Sequence, residues 1–185
     1  MKAADFDYYR VDSLADALER LGELGEDAKV LAGGQSLVPM MNFRLARPAA
    51  LVDITRVPEL RGIERSNGEL RIRAATTHAE VERAPEAEDG YEVLRAAAKW
   101  VGHEPIRSRG TFGGSLAHAD PTAEWCLIAV ALGAVIEIAG PRGEREVPAE
   151  EIEPGHDLHA SPDYRRRLAA TLVRRALEEA ADNGR

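Results

Sequence analysis

Thiols are nearly absent from this chain: Cys126 is its single cysteine. One thiolate closes no internal disulfide, and an iron–sulfur cluster needs about four ligands, so any cluster has to sit on a partner. Positive charge is also scarce, with 24 Lys and Arg against 32 Asp and Glu and a formal net charge of −8. A surface of that sign repels phosphate backbones, and no nucleic-acid partner is expected. A single diphosphate is still within reach, because backbone N–H groups at a helix start bind anions without help from Lys or Arg. Apolar runs are short. The longest, residues 125–136, falls below the roughly 20 residues that cross a bilayer, so no membrane span is expected. The opening Met1-Lys2-Ala3-Ala4-Asp5-Phe6-Asp7 has no apolar signal core, which makes the cytoplasm the expected compartment. Motif absences narrow the chemistry further. There is no G-x-G-x-x-G, no P-loop, no H-E-x-x-H, no paired Cys/His spacing and no Gly-x-Ser-x-Gly. His103, His118, Asp120 and Glu124 share no metal-ligand spacing, and Cys126 lies on an apolar stretch. Neither a metal site nor a catalytic nucleophile is expected.

What is present suits a soluble globular protein. The 185 residues are 44% hydrophobic and 30% charged, with 16 Gly and 10 Pro, enough for one compact domain or two small ones sharing a cleft. Asp12-Ser13 followed by Leu14, Ala17, Leu18 and Leu21 predicts a capped amphipathic helix ending near Gly22 to Gly25. Ala28-Lys29-Val30-Leu31-Ala32 is a strand-length run closed by Gly33-Gly34, residues 36–45 read as a helix with Pro39 in its first turn, and Leu51-Val52-Asp53-Ile54 reads as a buried strand. That order predicts a small parallel α/β unit, residues 1–57. Beyond it the pattern changes. Residues 60–65 and 69–74 alternate across Asn67-Gly68 like a hairpin. Thr77 or His78 caps a short helix to Arg83, and residues 91–101 read as another. Pro121 opens an apolar helix to about Leu132, residues 134–139 are a strand, and a Gly-Pro-Arg-Gly turn follows. This mixed second unit spans residues 58–152, and Trp100 and Trp125 are candidates for its core or for a subunit contact. Residues 153–185 form a linker and a terminal helix, with Leu168, Leu172, Ala176 and Ala180 on one stripe that needs a partner surface.

Two segments are able to hold a ligand. Ala32-Gly33-Gly34-Gln35-Ser36 sits where a strand gives way to a helix, so its glycines admit a close backbone approach and the helix start offers N–H donors. Arg109-Gly110-Thr111-Phe112-Gly113-Gly114-Ser115 repeats the glycine pair and adds the hydroxyls of Thr111 and Ser115. A ligand phosphate against either pair leaves no room for a Cβ. Glu124, near the start of the Pro121 helix, is placed to accept hydrogen bonds from ligand hydroxyls or simply to favour the helix dipole. Residue chemistry alone leaves open whether the two segments share one extended diphosphate ligand or are unrelated loops.

Taken together, Ala32 to Leu37, Ile106-Arg107-Ser108-Arg109-Gly110-Thr111-Phe112-Gly113-Gly114-Ser115 and Ala117-His118-Ala119-Asp120-Pro121 resemble the medium-subunit family of molybdenum hydroxylases. That family includes the FAD subunits of carbon monoxide dehydrogenase and of bacterial xanthine and aldehyde dehydrogenases. Phe6-Asp7-Tyr8 and Leu51-Val52-Asp53-Ile54 match as well, and the likeness runs over about residues 5–152. It implies an α+β (α/β) fold, with two FAD-binding subdomains of the vanillyl-alcohol-oxidase type and the diphosphate of FAD between them. Carried over, the cofactor contacts would be Ala32, Gly33, Gly34, Gln35, Ser36 and Leu37, then Thr111, Gly113, Gly114 and Ser115. Glu124 would take the ribityl or ribose hydroxyls, where the family more often has Asp, and Val101 would lie beside the flavin. The implied partners are a molybdenum-binding large subunit and an iron–sulfur small subunit. Electrons would pass from the latter to FAD and on to NAD, a quinone or oxygen.

One departure is large. Residues 157–180 resemble the family's last helix but follow residues 148–152 almost directly, where the family has most of a separate domain over the isoalloxazine. The resemblance therefore implies a chain with most of its C-terminal domain missing. It also implies an alternative function, a non-catalytic remnant that keeps the scaffold and subunit contacts.

Overall fold

A computed structural model describes residues 2–151 apart from Pro121 and Pro141. The expected terminal helix lies outside the described residues. The first unit has the predicted strand–helix–strand core plus one strand the sequence did not announce. Strand β1 (Asp7–Arg10), helix α1 (Leu14–Leu24), strand β2 (Ala28–Leu31), helix α2 (Leu37–Asn42) and strand β3 (Ala50–Asp53) follow in order. All pairing is parallel, with β3 central between β1 and β2. Every residue of β3 is buried, its apolar Ala50, Leu51 and Val52 as the central strand of a parallel sheet requires and Asp53 with hydrogen-bond partners of its own. Strand β1 has no such run. Its Asp-Tyr-Tyr-Arg sequence is mostly exposed, so only the pairing with β3 reveals it.

Local signals set the element ends. Ser13 accepts a hydrogen bond from the Asp16 N–H (3.1 Å) and caps α1, while Gly25, at φ 66°, ends it. The apolar stripe of α1 packs Ala17, Leu14, Leu21 and Leu24 on Val11, Val52, Ile54 and Val57. Helix α2 is shorter than residues 36–45, because the chain turns through Arg44 at φ 59°.

The second unit begins with the predicted hairpin, β4 (Ile63–Ser66) against β5 (Glu69–Ile72). Its Asn67 and Gly68 both have positive φ (53° and 84°), the conformation for which Asn-Gly is favoured. Helix α3 (His78–Arg83) starts on a capping box, in which the Thr77 side chain accepts from the Glu80 N–H and the Glu80 carboxylate accepts from the Thr77 N–H. Helices α4 (Glu92–Ala98), α5 (Glu104–Arg107), α6 (Phe112–His118) and α7 (Glu124–Ala131) follow, then an antiparallel pair, β6 (Val135–Gly140) and β7 (Gly143–Pro148). Their core joins Val81, Ala84, Ala87, Leu94, Ala98, Val101 and Trp125.

The structure departs from the sequence reading in several further places, by shifted ends and by elements the pattern did not show. The helix expected over residues 91–101 stops at Ala98, where the N–H groups of Trp100 and Val101 bond back to Ala97 and Ala98 in a tight turn. The glycine-rich segment carries α6, which its glycine pair disfavours but its Thr111 cap permits. Helix α7 begins at Glu124 rather than at Pro121, because Asp120 accepts from the Thr122 N–H and hydroxyl and holds a turn there. Strand β7 is polar and exposed along Glu144 to Glu146, so it carries no strand pattern of its own. Among the described residues no helix is long and apolar enough to cross a membrane.

Asp53 fastens the first sheet at its carboxyl end. It is 7% exposed and accepts from the Thr55 N–H (2.8 Å), the Thr55 hydroxyl (2.6 Å) and the Tyr8 hydroxyl on β1. Burial pushes its carboxyl up, but hydrogen bonds from Thr55 and Tyr8, with the charge of Arg10, outweigh that and hold it below its ordinary value. Asp53→Ala would orphan three donors and is expected to cost about 2–3 kcal/mol, whereas Tyr8→Phe, which removes one donor, should cost about 1 kcal/mol. Urea unfolding of the three proteins measures this, and equal losses in the two variants would refute the assignment.

Candidate functional site

The site forms where β2 ends. From Leu31 the chain runs through Ala32, Gly33, Gly34, Gln35 and Ser36 into α2. Gly34 has φ +70°, a left-handed conformation that side-chain-bearing residues rarely adopt. A Cβ on Gly33 would lie 2.6 Å from Gly110 Cα and closer still to the Arg109 carbonyl oxygen. The two glycine segments, far apart in sequence, therefore touch backbone to backbone. A second contact sets Gly114 near Ala32, with a Cβ at Gly114 reaching 3.5 Å from the Ala32 Cβ.

The glycines are tight for a reason other than the one their spacing suggested. A Cβ at Gly113 would meet Ala74 Cα at 2.6 Å, at Gly114 the Thr111 Oγ1 at 2.6 Å, and at Gly110 the His78 Nε2 at 2.6 Å. Protein atoms, not only a ligand, already occupy the space a side chain would need.

The hydrogen bonds divide the two segments into different roles. Among the described residues, the N–H groups of Gly33, Gly34, Gln35, Ser36 and Leu37 donate to no protein acceptor. The Gln35 side-chain amide donates to the Gly33 carbonyl (2.8 Å), bracing the loop around those donors. The second segment has its donors committed. Phe112 N–H donates to Thr76 O (2.8 Å), Gly113 N–H to Ala74 O (2.9 Å), Gly114 N–H to Thr111 Oγ1 (3.2 Å) and Ser115 N–H to Thr111 O (3.0 Å). What this segment still offers is the half-buried Ser115 side chain, while Thr111 is buried at 4% exposure.

Glu124 opens α7, half-buried, with no partner for its carboxylate among the described residues. Its neighbour Trp125 is fully buried and donates its indole N–H to His78 Nδ1 at 2.9 Å. Trp100, by contrast, is 79% exposed. The Val101 side chain is taken up by the second core. His118 is exposed at the end of α6.

His78 is the residue that sequence reasoning missed, having been read only as a possible cap. It is 5% exposed, and its backbone N–H donates to the Gly110 carbonyl (3.0 Å). Since an indole only donates, Nδ1 must accept, and the neutral ring carries its proton on Nε2. Burial, and then the nearby Arg107 guanidinium, lower its pKa from 6.5 to about 4. Arg107 is itself held by Glu82 (3.0 Å) and the Gly102 carbonyl (3.1 Å). No sequence pattern shows that a distant tryptophan needs this acceptor.

Residues 4–160 match the family model described as the FAD binding domain in molybdopterin dehydrogenase. This chain belongs to that family. The 6-hydroxypseudooxynicotine dehydrogenase complex subunit alpha of Paenarthrobacter nicotinovorans is 46% identical over 156 residues, covering 84% of this chain and 53% of the relative. The carbon monoxide dehydrogenase medium chain of Hydrogenophaga pseudoflava is 41% identical over 145 residues, 78% of this chain and 50% of the relative. Among solved structures, carbon monoxide dehydrogenase from Hydrogenophaga pseudoflava lacking the Mo-pyranopterin moiety superposes with a TM-score of 0.81 at 38% identity, over 88% of this chain and 57% of that one. Quinoline 2-oxidoreductase from Pseudomonas putida 86 gives 0.81 at 40% identity, over 84% and 54%. The chain thus spans about half the length of the curated relatives it matches. The α+β FAD-binding fold and the cofactor FAD, both implied by the motifs, are those of the family.

Two expected outcomes follow from the packing. Gly33→Ala forces a Cβ into the Arg109–Gly110 backbone and should destabilise the chain by about 1–3 kcal/mol. Gly22→Ala, in α1 with nothing within 4 Å of the new Cβ, should instead stabilise it by about 0.5–1 kcal/mol. Thermal melts that move both variants the same way would contradict the contact. His78 adds a pH dependence. Its folded-state value near 4 lies below the ordinary 6.5, so the unfolded chain takes up the proton first. The stability it carries is complete above pH 6.5 and is lost as pH falls toward 4, by about 3 kcal/mol at most. Unfolding at about pH 7 and about pH 4.5 should show a steeper loss in the wild type than in His78→Asn, the carboxylates being common to both.

Proposed function

We propose that this chain holds FAD by its diphosphate at the carboxyl end of β2 and serves as the FAD-binding electron-transfer part of a molybdenum hydroxylase. The observation that carries this reading is the run of N–H groups from Gly33 to Leu37 that have no acceptor among the described residues. A diphosphate is the ligand such a run suits, and it needs no Lys or Arg. Ala32 and the backbone to Leu37 make the phosphate side of the cradle, and Thr111, Gly113, Gly114 and Ser115 make its opposite wall. There Gly113 and Gly114 set the wall's position through their packing, and Ser115 contributes its hydroxyl. Glu124 accepts from the ribityl or ribose hydroxyls, and the turn at Val101 lies beside the flavin. Residues 1–57 and 58–152 act as the two subdomains that meet across the cofactor.

Bound FAD supplies the redox chemistry. The chain's own residues bind and orient it, and no acid, base or nucleophile of this chain is required. By analogy with relatives named as medium chains of dehydrogenases and as the medium subunit of a hydroxylase, the partners are a molybdenum-binding large subunit and an iron–sulfur small subunit. Electrons arrive from the iron–sulfur partner and leave to NAD, a quinone or oxygen.

Titration of the purified chain with FAD, followed by flavin absorbance and fluorescence, tests this directly. FAD is expected to bind, ADP to compete because it carries the diphosphate, and riboflavin not to compete. Glu124→Gln should weaken FAD by about tenfold, the worth of one hydrogen bond to a charged group. If ADP weakens equally, the carboxylate serves the ribose; if ADP is unaffected, it serves the ribityl chain. Failure of both FAD and ADP to bind at millimolar concentration would overturn the reading in favour of a scaffold remnant.

A further inference from the structure

We propose that His78 is a positioning residue for the FAD site, an imidazole that locks the second glycine segment to the start of α7 and so fixes Ser115 relative to Glu124. The inference rests on the FAD reading above and adds a residue that neither the motifs nor the family match assigns.

The geometry has three parts. His78 holds the segment twice, once through its backbone N–H on the Gly110 carbonyl (3.0 Å) and once through its ring. The ring fills the space in which a Gly110 Cβ would sit, 2.6 Å from Nε2 and 2.8 Å from Cδ2. It holds α7 through Nδ1, which accepts the Trp125 indole N–H at 2.9 Å. Trp125 packs against both His78 and Phe112, with ring centroids 5.9 Å and 5.0 Å away, and Phe112 is the first residue of α6. One buried imidazole therefore bears on α3, on the segment entering α6 and on the residue after Glu124.

Core filling alone does not explain a histidine here. Leu or Phe would fill the volume but leave a fully buried indole N–H without an acceptor, a more costly defect than the hydrogen bond is a gain. Relief of that defect requires Trp125 to shift, and Glu124 and Phe112 shift with it. The first loop follows, because Gly33 rests on the Arg109–Gly110 backbone. Burial and the charge of Arg107 keep the ring neutral at ordinary pH, so Nδ1 is available to accept.

The test compares FAD affinity with apo-protein stability in the full chain, using His78→Leu, His78→Asn, Trp125→Phe and the control Leu94→Ala. Leu94 lies in the same core but makes none of these hydrogen bonds. His78→Leu is expected to weaken FAD by about tenfold or more, the effect of one orphaned buried donor. His78→Asn, whose Oδ1 sits one bond from Cγ as Nδ1 does, should bind within about threefold of wild type, a rescue that volume alone does not give. Adding Trp125→Phe to His78→Leu should restore part of the affinity, since no indole donor is then left unpaired. Leu94→Ala should lower the unfolding midpoint at least as far as His78→Leu does, with FAD affinity within about threefold. FAD affinity that falls in Leu94→Ala in step with stability, or that is unchanged in His78→Leu, overturns the positioning role. If His78→Leu does not fold, Trp125→Phe alone decides: losing the bond to His78 should weaken FAD by about threefold or more, and unchanged affinity overturns the role. If wild type itself does not bind FAD, the functional reading fails and the positioning role with it.

Discussion

Gly33 against Arg109–Gly110 is the contact on which the site depends. The two backbones approach so closely there that a Cβ on Gly33 would run into Arg109 and Gly110. The strand–helix loop of the parallel unit is thereby seated on the loop that leads into α6, and Ala32 beside Gly114 extends the seat. Separating them by the width of one methyl group would move the first loop, whose N–H groups have no acceptor among the described residues, off the backbone that seats it. Glycine is used for close packing of chain on chain, and at Gly34 for a left-handed turn.

That seat allows the two loops to differ. Among the described residues the first keeps its N–H groups uncommitted from Gly33 to Leu37, while the second spends those of Phe112, Gly113, Gly114 and Ser115 on Thr76, Ala74 and Thr111. One loop is a set of donors and the other is a rigid backing for it. The arrangement also suits a chain of net charge −8. Fixed amide dipoles bind an anion at short range and do not require a basic surface that would draw in polyanions.

Much of this was legible in the sequence, and the limits are physical. The capped α1, the buried β3, the Asn-Gly hairpin and the short helix capped at Thr77 or His78 rest on local rules of burial, cap and turn chemistry, and they formed where those rules put them, with Thr77 as the cap. The two glycine pairs marked the two segments that meet, because close approach has few other residues to use. Strand β1 and strand β7 were not legible, because an exposed strand is defined by its partner rather than by an apolar pattern of its own. Helix α6 was hidden by its own glycines. The His78–Trp125 pair spans 47 positions and joins two residue types that each have ordinary local explanations, so only tertiary structure reveals it.

The helices around the cradle are too short to hold their own shape. α2 has six residues, α5 four and α6 seven, whereas an isolated helix is marginal in water below about 12–15 residues. Their ends are therefore set by what they touch: α6 by Thr111, Thr76 and Ala74, and α5 by the Arg107 link to Glu82 and Gly102. A region made of such pieces gains its order from tertiary hydrogen bonds rather than from helix propensity. A buried pair such as His78 and Trp125 then has more to do than fill space, because a directional bond fixes spacing where an apolar contact would let short helices slide. The cost is a site whose order depends on a few such bonds holding together, and the neutral, buried imidazole is one of them.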